Sequence, residues 1–461
     1  MTRFDGAAQS VDCANTELTL VSAWLRQRDE QQRPLAARIP LGLLYLLAAT
    51  RAAGFSSQVC DVQLFDKGDS SADTPLLIRE AIEGSGMLVG ISCMSDLLPA
   101  VIVATKHYKL YHPSTKIILG GPGPSIIGME LLHTFPWLDV VVKGEGEQTL
   151  VELLNTYKNR QPLQRVAGIC ARTNQGVINT SEQPRLVQLD QLLPLPYTDL
   201  PLDRYQTNIP FITSRGCPYP CKFCAVANLW GHRTTWHSVP AVIHQLQELG
   251  VIGCHRVAFV DDTFVLNRGR VLELCHKLES LVPTLEWHCN GRINLMDEEL
   301  LTAMRSAGCR SIFFGLESGS NTLLQEMHKG FNVEEAVRVI TLSASYMHVA
   351  VSFIWGFPNE TWDDFCRTYA ICEQLLELSN VSLQIHLLTP YPGTPVYEQY
   401  AEHLVFDPGI HSHIRSSKHL STEEESLIRC YRSLFPSFYH FPTPQLHEKL
   451  AYVERLQKRI G

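Results

Sequence analysis

Three thiols stand within eight residues, in Cys217-Pro-Tyr-Pro-Cys221-Lys-Phe-Cys224. Thiolates are soft ligands and suit iron–sulfur clusters. A cubane cluster has four irons, so three local thiolates leave one iron open. An open iron can chelate a small molecule that carries an amino and a carboxylate group side by side. Pro218 and Pro220 restrict the loop and favour an extended path around a cluster. The competing readings are a zinc site and a chance grouping of buried thiols. Structural zinc takes four ligands, usually as two pairs, and the sequence holds no second pair. Ligand arithmetic therefore favours iron and sulfur.

Further chemistry-bearing residues recur where apolar segments end. Val260-Asp-Asp-Thr-Phe264, Asn290-Gly-Arg292, Gly315-Leu-Glu-Ser-Gly319 and Gly356-Phe-Pro-Asn-Glu360 each close one such segment, and Thr389-Pro-Tyr-Pro-Gly-Thr-Pro395 follows another. In a barrel, the loops after the strands gather on one face, where barrel enzymes place their chemistry.

The C-x3-C-x2-C spacing and this set of motifs, over about residues 211–397, resemble the radical S-adenosylmethionine (SAM) superfamily. The resemblance implies that Cys217, Cys221 and Cys224 hold a 4Fe–4S cluster. SAM would chelate the open iron and be cleaved by one-electron reduction to methionine and a 5′-deoxyadenosyl radical. A small-molecule substrate and an electron donor such as flavodoxin or ferredoxin are implied with it. Phe223 would pack near the SAM adenine. Glu317 and Ser318 suit the ribose hydroxyls and the methionine amine, and Arg292 the SAM carboxylate, by charge-assisted hydrogen bonds. Gly356 and Pro358 would let the backbone approach adenine. Asp262 and Thr263 would receive the methionine ammonium, at a place where the family commonly has Gly-Gly-Glu. Each of these residues also reads as part of a turn or a helix cap; Ser318 and Asp297 both suit N-caps. Cys60, Cys93, Cys254, Cys275, Cys289, Cys309, Cys366 and Cys372 lie in or beside apolar segments and read as small hydrophobes. His288 and His386 read as core or pocket-wall residues.

A second group of motifs precedes these: Ile39-Pro-Leu-Gly-Leu43, Gly90-Ile-Ser-Cys-Met94, Gly120-Gly-Pro-Gly-Pro124 and Lys143-Gly-Glu-Gly-Glu147. They resemble the cobalamin (B12)-binding-type domain that precedes the barrel in one radical SAM subgroup. Glycines at strand ends let a ligand approach the backbone. Ser92, Gly120 and Gly121 are the expected contacts, the glycine pair forming a bare shelf that Gly123 either widens or shows in decay. The Asp-x-His-x-x-Gly signature that supplies histidine to cobalt is absent, and no histidine occurs before His107. The competing reading is a remnant domain that only covers the barrel.

The elements that must carry these residues alternate. Strand patterns at 18–22, 57–64, 87–94, 116–119 and 140–143 are separated by helical patterns at 41–53, 75–83, 97–111 and 148–157. Apolar strands between amphipathic helices imply a parallel sheet covered on both faces, here an α/β, Rossmann-like doubly wound domain over 1–158. Residues 159–205 are rich in Pro, Gln and Asp and read as a linker with a small hairpin near 168–179. Strands at 211–214, 256–260, 286–290, 311–315, 350–355 and 382–388 then alternate with helices at 240–249, 268–281, 297–307, 321–327 with 333–345, and 362–378. Six strands with crossover helices over 206–400 predict a partial (βα)6 TIM-like barrel. Residues 401–461 read as a polar helical tail, with a helix at 423–435 and nothing that points to chemistry.

Of 461 residues, 45% are apolar and 19% charged, with a net charge of −8, so a large core forms without disulfides. The charge balance, with no Lys/Arg block, speaks against nucleic-acid binding. Residues 1–15 are polar and show no leader, and the longest apolar run, 39–50, is shorter than the ~20 residues that span a bilayer. A cytoplasmic protein without a membrane partner is expected. The cysteines are scattered, which suits free thiols or metal ligands in a reducing compartment.

Two activities follow as alternatives. One is a cobalamin-dependent C-methyltransferase or carbon-skeleton enzyme acting on a small metabolite. The other is a cobalamin-free radical SAM lyase, dehydratase or cyclase of natural-product (for example aminoglycoside) biosynthesis, with a remnant first domain. A redox-sensing binding protein fits the strand-end motifs poorly. A methylthiotransferase is disfavoured, because only Cys13, Cys60 and Cys93 precede the linker, without the grouping a second cluster needs.

Overall fold

The computed structural model describes residues 16–25, 35–65, 73–410 and 420–460. Cys13 lies outside them. Strands β1 (Leu18–Ser22), β2 (Ser57–Asp61), β3 (Leu88–Ser92), β4 (Lys116–Gly120) and β5 (Val140–Val142) form a parallel sheet in the order β2-β1-β3-β4-β5. Every residue of β1 and β5 is buried, as strands covered on both faces require. Helices α1 (Leu41–Ala52), α2 (Thr74–Ile82), α3 (Leu98–Tyr111), α4 (Gly128–Thr134) and α5 (Gly146–Lys158) make the crossovers. The winding reverses between β1 and β3, and ligands of such sheets bind beyond the carboxyl ends of the strands at that point.

Three local differences from the sequence-based expectation have physical causes. β2 stops at Asp61 because its carboxylate caps a 3₁₀ turn over Val62–Leu64 by accepting from the Gln63 N–H. α4 spans two turns, too short to show a period of its own. The hairpin of β6 (Ile169–Thr173) and β7 (Gly176–Asn179) does not stand alone in a linker; β6 pairs antiparallel with β5, so both strands extend the first sheet.

The second sheet takes up β8 (Ile209–Phe211), with a two-residue ladder of β9 (Ser214–Arg215) and β10 (Thr235–Trp236) beside it. It continues through β11 (Arg256–Phe259), β12 (Glu286–Gly291), β13 (Cys309–Glu317), β14 (His348–Trp355) and β15 (Val381–Leu387). All six main strands are parallel in the order β8-β11-β12-β13-β14-β15, and β8 and β15 remain edges, so the barrel is open. Helices α6 (Val226–Trp230), α7 (Val239–Val251), α8 (Arg268–Leu281), α9 (Glu298–Ser306), α10 (Asn321–Glu326), α11 (Val333–Ala344) and α12 (Trp362–Leu376) connect them. Side-chain caps fix several starts: Asn267 for α8, Asp297 for α9, and a Thr361/Asp364 capping box for α12.

After β15 come α13 (Pro395–Tyr400), α14 (Thr422–Cys430) and α15 (Leu446–Ile460). The expected helix at 423–435 ends at Cys430, and α15 is an addition to the expected elements. The tail is polar on one side only. Phe435, Phe438 and Phe441 are buried in one hydrophobic cluster with Val89, Ile91 and Phe357, while Val453 and Leu456 join the cluster that holds Trp287 and Val351. The cluster of Trp287 and Val351 runs through both sheets, and the cluster of the tail aromatics joins the first sheet to Phe357 and Leu388, which follow β14 and β15. No helix among the described residues is long and apolar enough to cross a membrane.

Candidate functional site

The cysteine loop leaves β9 and returns through α6. Its approach is braced from below by Asp261, which is fully buried at the end of β11. That carboxylate accepts from the Thr213 N–H at 2.6 Å, the Thr213 hydroxyl at 2.5 Å and the Ser214 hydroxyl at 2.7 Å. Burial pushes the Asp261 carboxyl upward, and these donors hold it back. Arg270 completes the brace by donating to the Thr213 carbonyl and to the His237 carbonyl. Asp262 accepts from the Gly216 N–H at 2.8 Å, and the Thr263 hydroxyl lies 3.3 Å from Cys217 Sγ. Gly216 has φ +96° and its position leaves no room for a Cβ, which would meet the Arg233 carbonyl at 2.1 Å. Two adjacent aspartates thus shape the loop backbone. Asp261 was not among the expected site residues, because its partners lie nearly fifty residues earlier in the chain.

Cys217, Cys221 and Cys224 are all half-buried. Among the described residues no three His, Cys, Asp or Glu side chains converge on a single-ion site. Thiolates of a cubane need not converge so tightly, since each takes a different iron. Arg292 reaches this loop directly. Its guanidinium stacks 3.5 Å over the Tyr219 ring, Nη1 lies 3.8 Å from Cys221 Sγ, and its other nitrogens donate to Asn294 and the Lys329 carbonyl.

Glu317 ends β13 at a register shift, with φ +73°, and its carboxylate pairs with Lys329 Nζ at 3.0 Å. Both are nearly buried. Lys329 also lies 5.7 Å from the Phe223 ring, and no motif in the sequence pointed to it. Phe223 packs edge-on against Phe357, with ring centroids 6.1 Å apart. Gly356 turns at φ +80°, and a Cβ there would meet Leu387 at 2.5 Å; Pro358 is half-exposed beside it. Cys217, Cys221, Cys224, Phe223, Thr263, Arg292, Glu317 and Gly356 therefore cluster at the carboxyl ends of the barrel strands. Ser318 differs. It is 1% exposed, and its hydroxyl lies 3.1 Å from the Thr368 hydroxyl and accepts from the Ser320 N–H. It holds the turn after β13, and the N-cap of α10 is Ser320.

A cleft with about 1240 Å³ of atom-free space, part of it open to solvent, lies between the two sheets. One wall is the carboxyl edge of the first sheet: Leu20, Gly90, Ser92, Gly120, Gly121, Val142 and Gly144, with Leu41, Gly42, Leu43, Tyr45 and Leu46 of the α1 start. The other wall belongs to the barrel: Ser214, Arg215, Val260 and Asp262, with Leu229 and Trp230 of α6. The lining is mostly apolar. The glycines divide by role. A Cβ on Gly42 or Gly144 would meet nothing within 4 Å, and one on Gly120 only Val142 at 3.9 Å, so these three leave bare backbone on the cleft. Gly121 (φ +90°) would put a Cβ 2.8 Å from Ser92 Oγ, and Gly123 would put one 2.7 Å from the Met94 backbone. Those two let the loops after β3 and β4 close on each other; the expectation that Gly123 widens the shelf or marks its decay is corrected. A broad apolar cleft with bare backbone along one edge fits a bulky cofactor such as cobalamin.

The loop Lys143-Gly-Glu-Gly-Glu147 meets the barrel through its carboxylates. Arg215 pairs with Glu145 at 3.0 Å and Glu147 at 2.6 Å, all three nearly buried. Burial works against the Arg215 charge, and Glu147 and Glu145 more than offset it. The Arg215 guanidinium lies 5.0 Å from the Tyr45 ring and 5.7 Å from that of Trp230. Asp262, the third carboxylate on the cleft, has no cation within salt-bridge distance among the described residues, and burial pushes its carboxyl upward.

Comparison with known proteins agrees with this layout. Residues 211–372 match the radical SAM superfamily model, and residues 38–154 match the B12 binding domain model. An uncharacterized methyltransferase of Pyrococcus horikoshii is 28% identical over 87% of this chain and 88% of its own length. The anaerobic magnesium-protoporphyrin IX monomethyl ester cyclase of Cereibacter sphaeroides is 25% identical over 87% of this chain and 68% of its own. Among solved structures, the radical S-adenosylmethionine methyltransferase TsrM from Kitasatospora setae, with cobalamin and a 4Fe–4S cluster bound, superposes with a TM-score of 0.71. That match covers 95% of this chain and 90% of that one at 18% identity, a likeness of fold. With both domain models matched in this order, the chain is a radical SAM enzyme that carries a B12-binding domain ahead of its barrel.

Proposed function

We propose that this chain is a cobalamin-dependent radical SAM methyltransferase that methylates a carbon atom of a small molecule. The carrying observation is the shared wall. Arg215, Trp230 and Asp262 line the cleft of the first sheet and also belong to, or brace, the loop that bears the three cysteines. When bound, the cluster and SAM supply a radical able to take hydrogen from an unreactive carbon, and cobalamin supplies a methyl group.

The chain's own residues hold and shield these groups. Cys217, Cys221 and Cys224 are the cluster ligands. Arg292 neutralises the SAM carboxylate beside Cys221, and Asp262 and Thr263 face the methionine ammonium. Glu317, paired with Lys329, takes the ribose, with Ser318 fixing the turn behind it. Phe223, Gly356 and Pro358 enclose adenine. Ser92, Gly120 and Gly121 form the edge against which the cobalamin tail lies. A flavodoxin or ferredoxin of the cytoplasm would deliver the electron. The methyltransferase names of the Pyrococcus and Kitasatospora proteins support the reaction. The cyclase relative favours a second reading, closure of a carbon ring from the same radical.

The test is anaerobic reconstitution. Wild type should bind about four irons per chain, take up hydroxocobalamin and form 5′-deoxyadenosine from SAM under a strong reductant. The triple Cys217/Cys221/Cys224→Ala variant should bind neither iron nor SAM. With methyl-labelled SAM and a small-molecule extract, label should enter a carbon-bound methyl group. Consumption of an extract component with deoxyadenosine but no label would favour ring closure. A wild type that binds no cobalamin would remove the methyltransferase reading.

A further inference from the structure

The tail that offered no chemical motif contributes one fully buried cation. Lys449, in the first turn of α15, is 0% exposed. Its ammonium lies 2.7 Å from Glu360 Oε2 and donates to the Thr443 hydroxyl at 2.8 Å; the Glu360 carbonyl is 3.4 Å away. Glu360 is itself 1% exposed, so this is an ion pair sealed from water on both sides. Such a pair is costly to bury and adds little stability over a packed apolar pair. Its retention invites a reason other than stability.

The partner of Glu360 supplies one. The same Oε2 that meets Lys449 accepts from the Gly356 N–H at 3.0 Å. Gly356 is the residue at which β14 breaks off with φ +80°. From there the chain runs to Phe357, which packs against Phe223, the neighbour of Cys224. A line of direct contacts thus leads from the first turn of α15 to the cluster loop. The rest of α15 is anchored independently: Tyr452 packs on Trp362, Phe365 and Tyr369, and Val453 and Leu456 lie in the core. The helix would stay in place without the ion pair. Burial raises the Glu360 carboxyl, while Lys449 and the Gly356 N–H oppose that rise, so the lysine and the turn share one acceptor oxygen.

We infer that Lys449 is a positioning residue for SAM: through Glu360 it fixes the Gly356–Pro358 turn against which the adenine end of SAM rests. This rests on the reading of the barrel mouth as a SAM site. The experiment compares cluster-loaded wild type with Lys449→Met, with the double variant Glu360→Gln/Lys449→Met, and with Glu360→Leu/Lys449→Met. SAM dissociation constants come from anaerobic equilibrium dialysis, and iron content and melting temperature are followed in parallel. Lys449→Met leaves a buried carboxylate unpaired and should weaken SAM at least about tenfold. The Gln/Met pair removes both charges but keeps an acceptor for Gly356 and should return to within about threefold of wild type. The Leu/Met pair is equally uncharged but lacks the acceptor, and should again be weakened about tenfold.

The idea is overturned if Leu/Met binds SAM as tightly as Gln/Met, because the turn then needs no acceptor. It is equally overturned if a soluble Lys449→Met binds like wild type. Should Lys449→Met not fold, the two neutral pairs decide alone. If wild type itself fails to bind SAM, it is the proposed function that falls.

Discussion

At the scale of single residues, the positions that sequence made legible are those whose chemistry is declared locally. Three cysteines in eight residues announce themselves, and so does a glycine at a strand end. What a given glycine is for was less legible, because the answer lies in a loop distant in sequence. Gly120 and Gly121 are neighbours, yet only Gly120 has free space where a side chain would go. Gly120→Leu should therefore fill the cleft edge and abolish cobalamin uptake while iron content stays at the wild-type value. Gly121→Ala should act differently. Its Cβ would press on Ser92 Oγ at a φ of +90°, costing on the order of 1–3 kcal/mol of stability. Absorption of the loaded cofactor, iron analysis and thermal melting separate the two outcomes. A Gly120→Leu protein that loads cobalamin normally would move the cofactor away from this edge.

At the scale of elements, strands buried on both faces were readable from their composition. An unbroken apolar run of about four to eight residues between turn residues is what a strand covered by helices on both sides requires. Polar pairs between elements were not readable, because pairing leaves no period in a sequence. Asp61 shows this. It ends β2, and its carboxylate accepts from the Gln63 N–H and side chain and from the Tyr205 hydroxyl, which lies 144 residues away. This ties the segment before the barrel to the first sheet. Burial pushes the Asp61 carboxyl up to about 6 from 3.8, against those hydrogen bonds. A carboxyl with a raised folded-state value binds its proton more tightly when folded. Its stabilising contribution is thus full below about 4, is lost as pH rises to about 6, and is flat above that. The size is on the order of 3 kcal/mol. Asp61→Asn should remove this slope, so the urea midpoints of variant and wild type should converge toward pH 4 and separate toward pH 6. Parallel curves across that range would show that Asp61 titrates normally.

For the whole molecule, the two halves could be read separately, but the way they join could not. Arg215 carried no signal of its own beside the cysteines, and Glu145 and Glu147 read as part of a glycine-rich loop. Together they form the buried charge bridge between the first sheet and the barrel. Arg215→Met leaves two carboxylates buried without a cation, a loss of about 3–5 kcal/mol. The variant should melt earlier and bind cobalamin more weakly, because one wall of the cleft loses its hold on the other. Neutralising all three, as Arg215→Met/Glu145→Gln/Glu147→Gln, should recover most of the melting temperature. If the single variant melts like wild type, the bridge is not what joins the halves. The C-terminal segment joins them a second time, with Phe435, Phe438 and Phe441 packed among residues of both. Because those aromatics and α15 leave the ribosome after every cluster cysteine, sheet strand and barrel strand, a growing chain can assemble both sheets while its mouth is still unbraced. A product that stopped between β15 and Phe435 would keep every strand and every cluster cysteine, and would lose both the segment packed on the two halves and the lysine behind the Gly356–Pro358 turn.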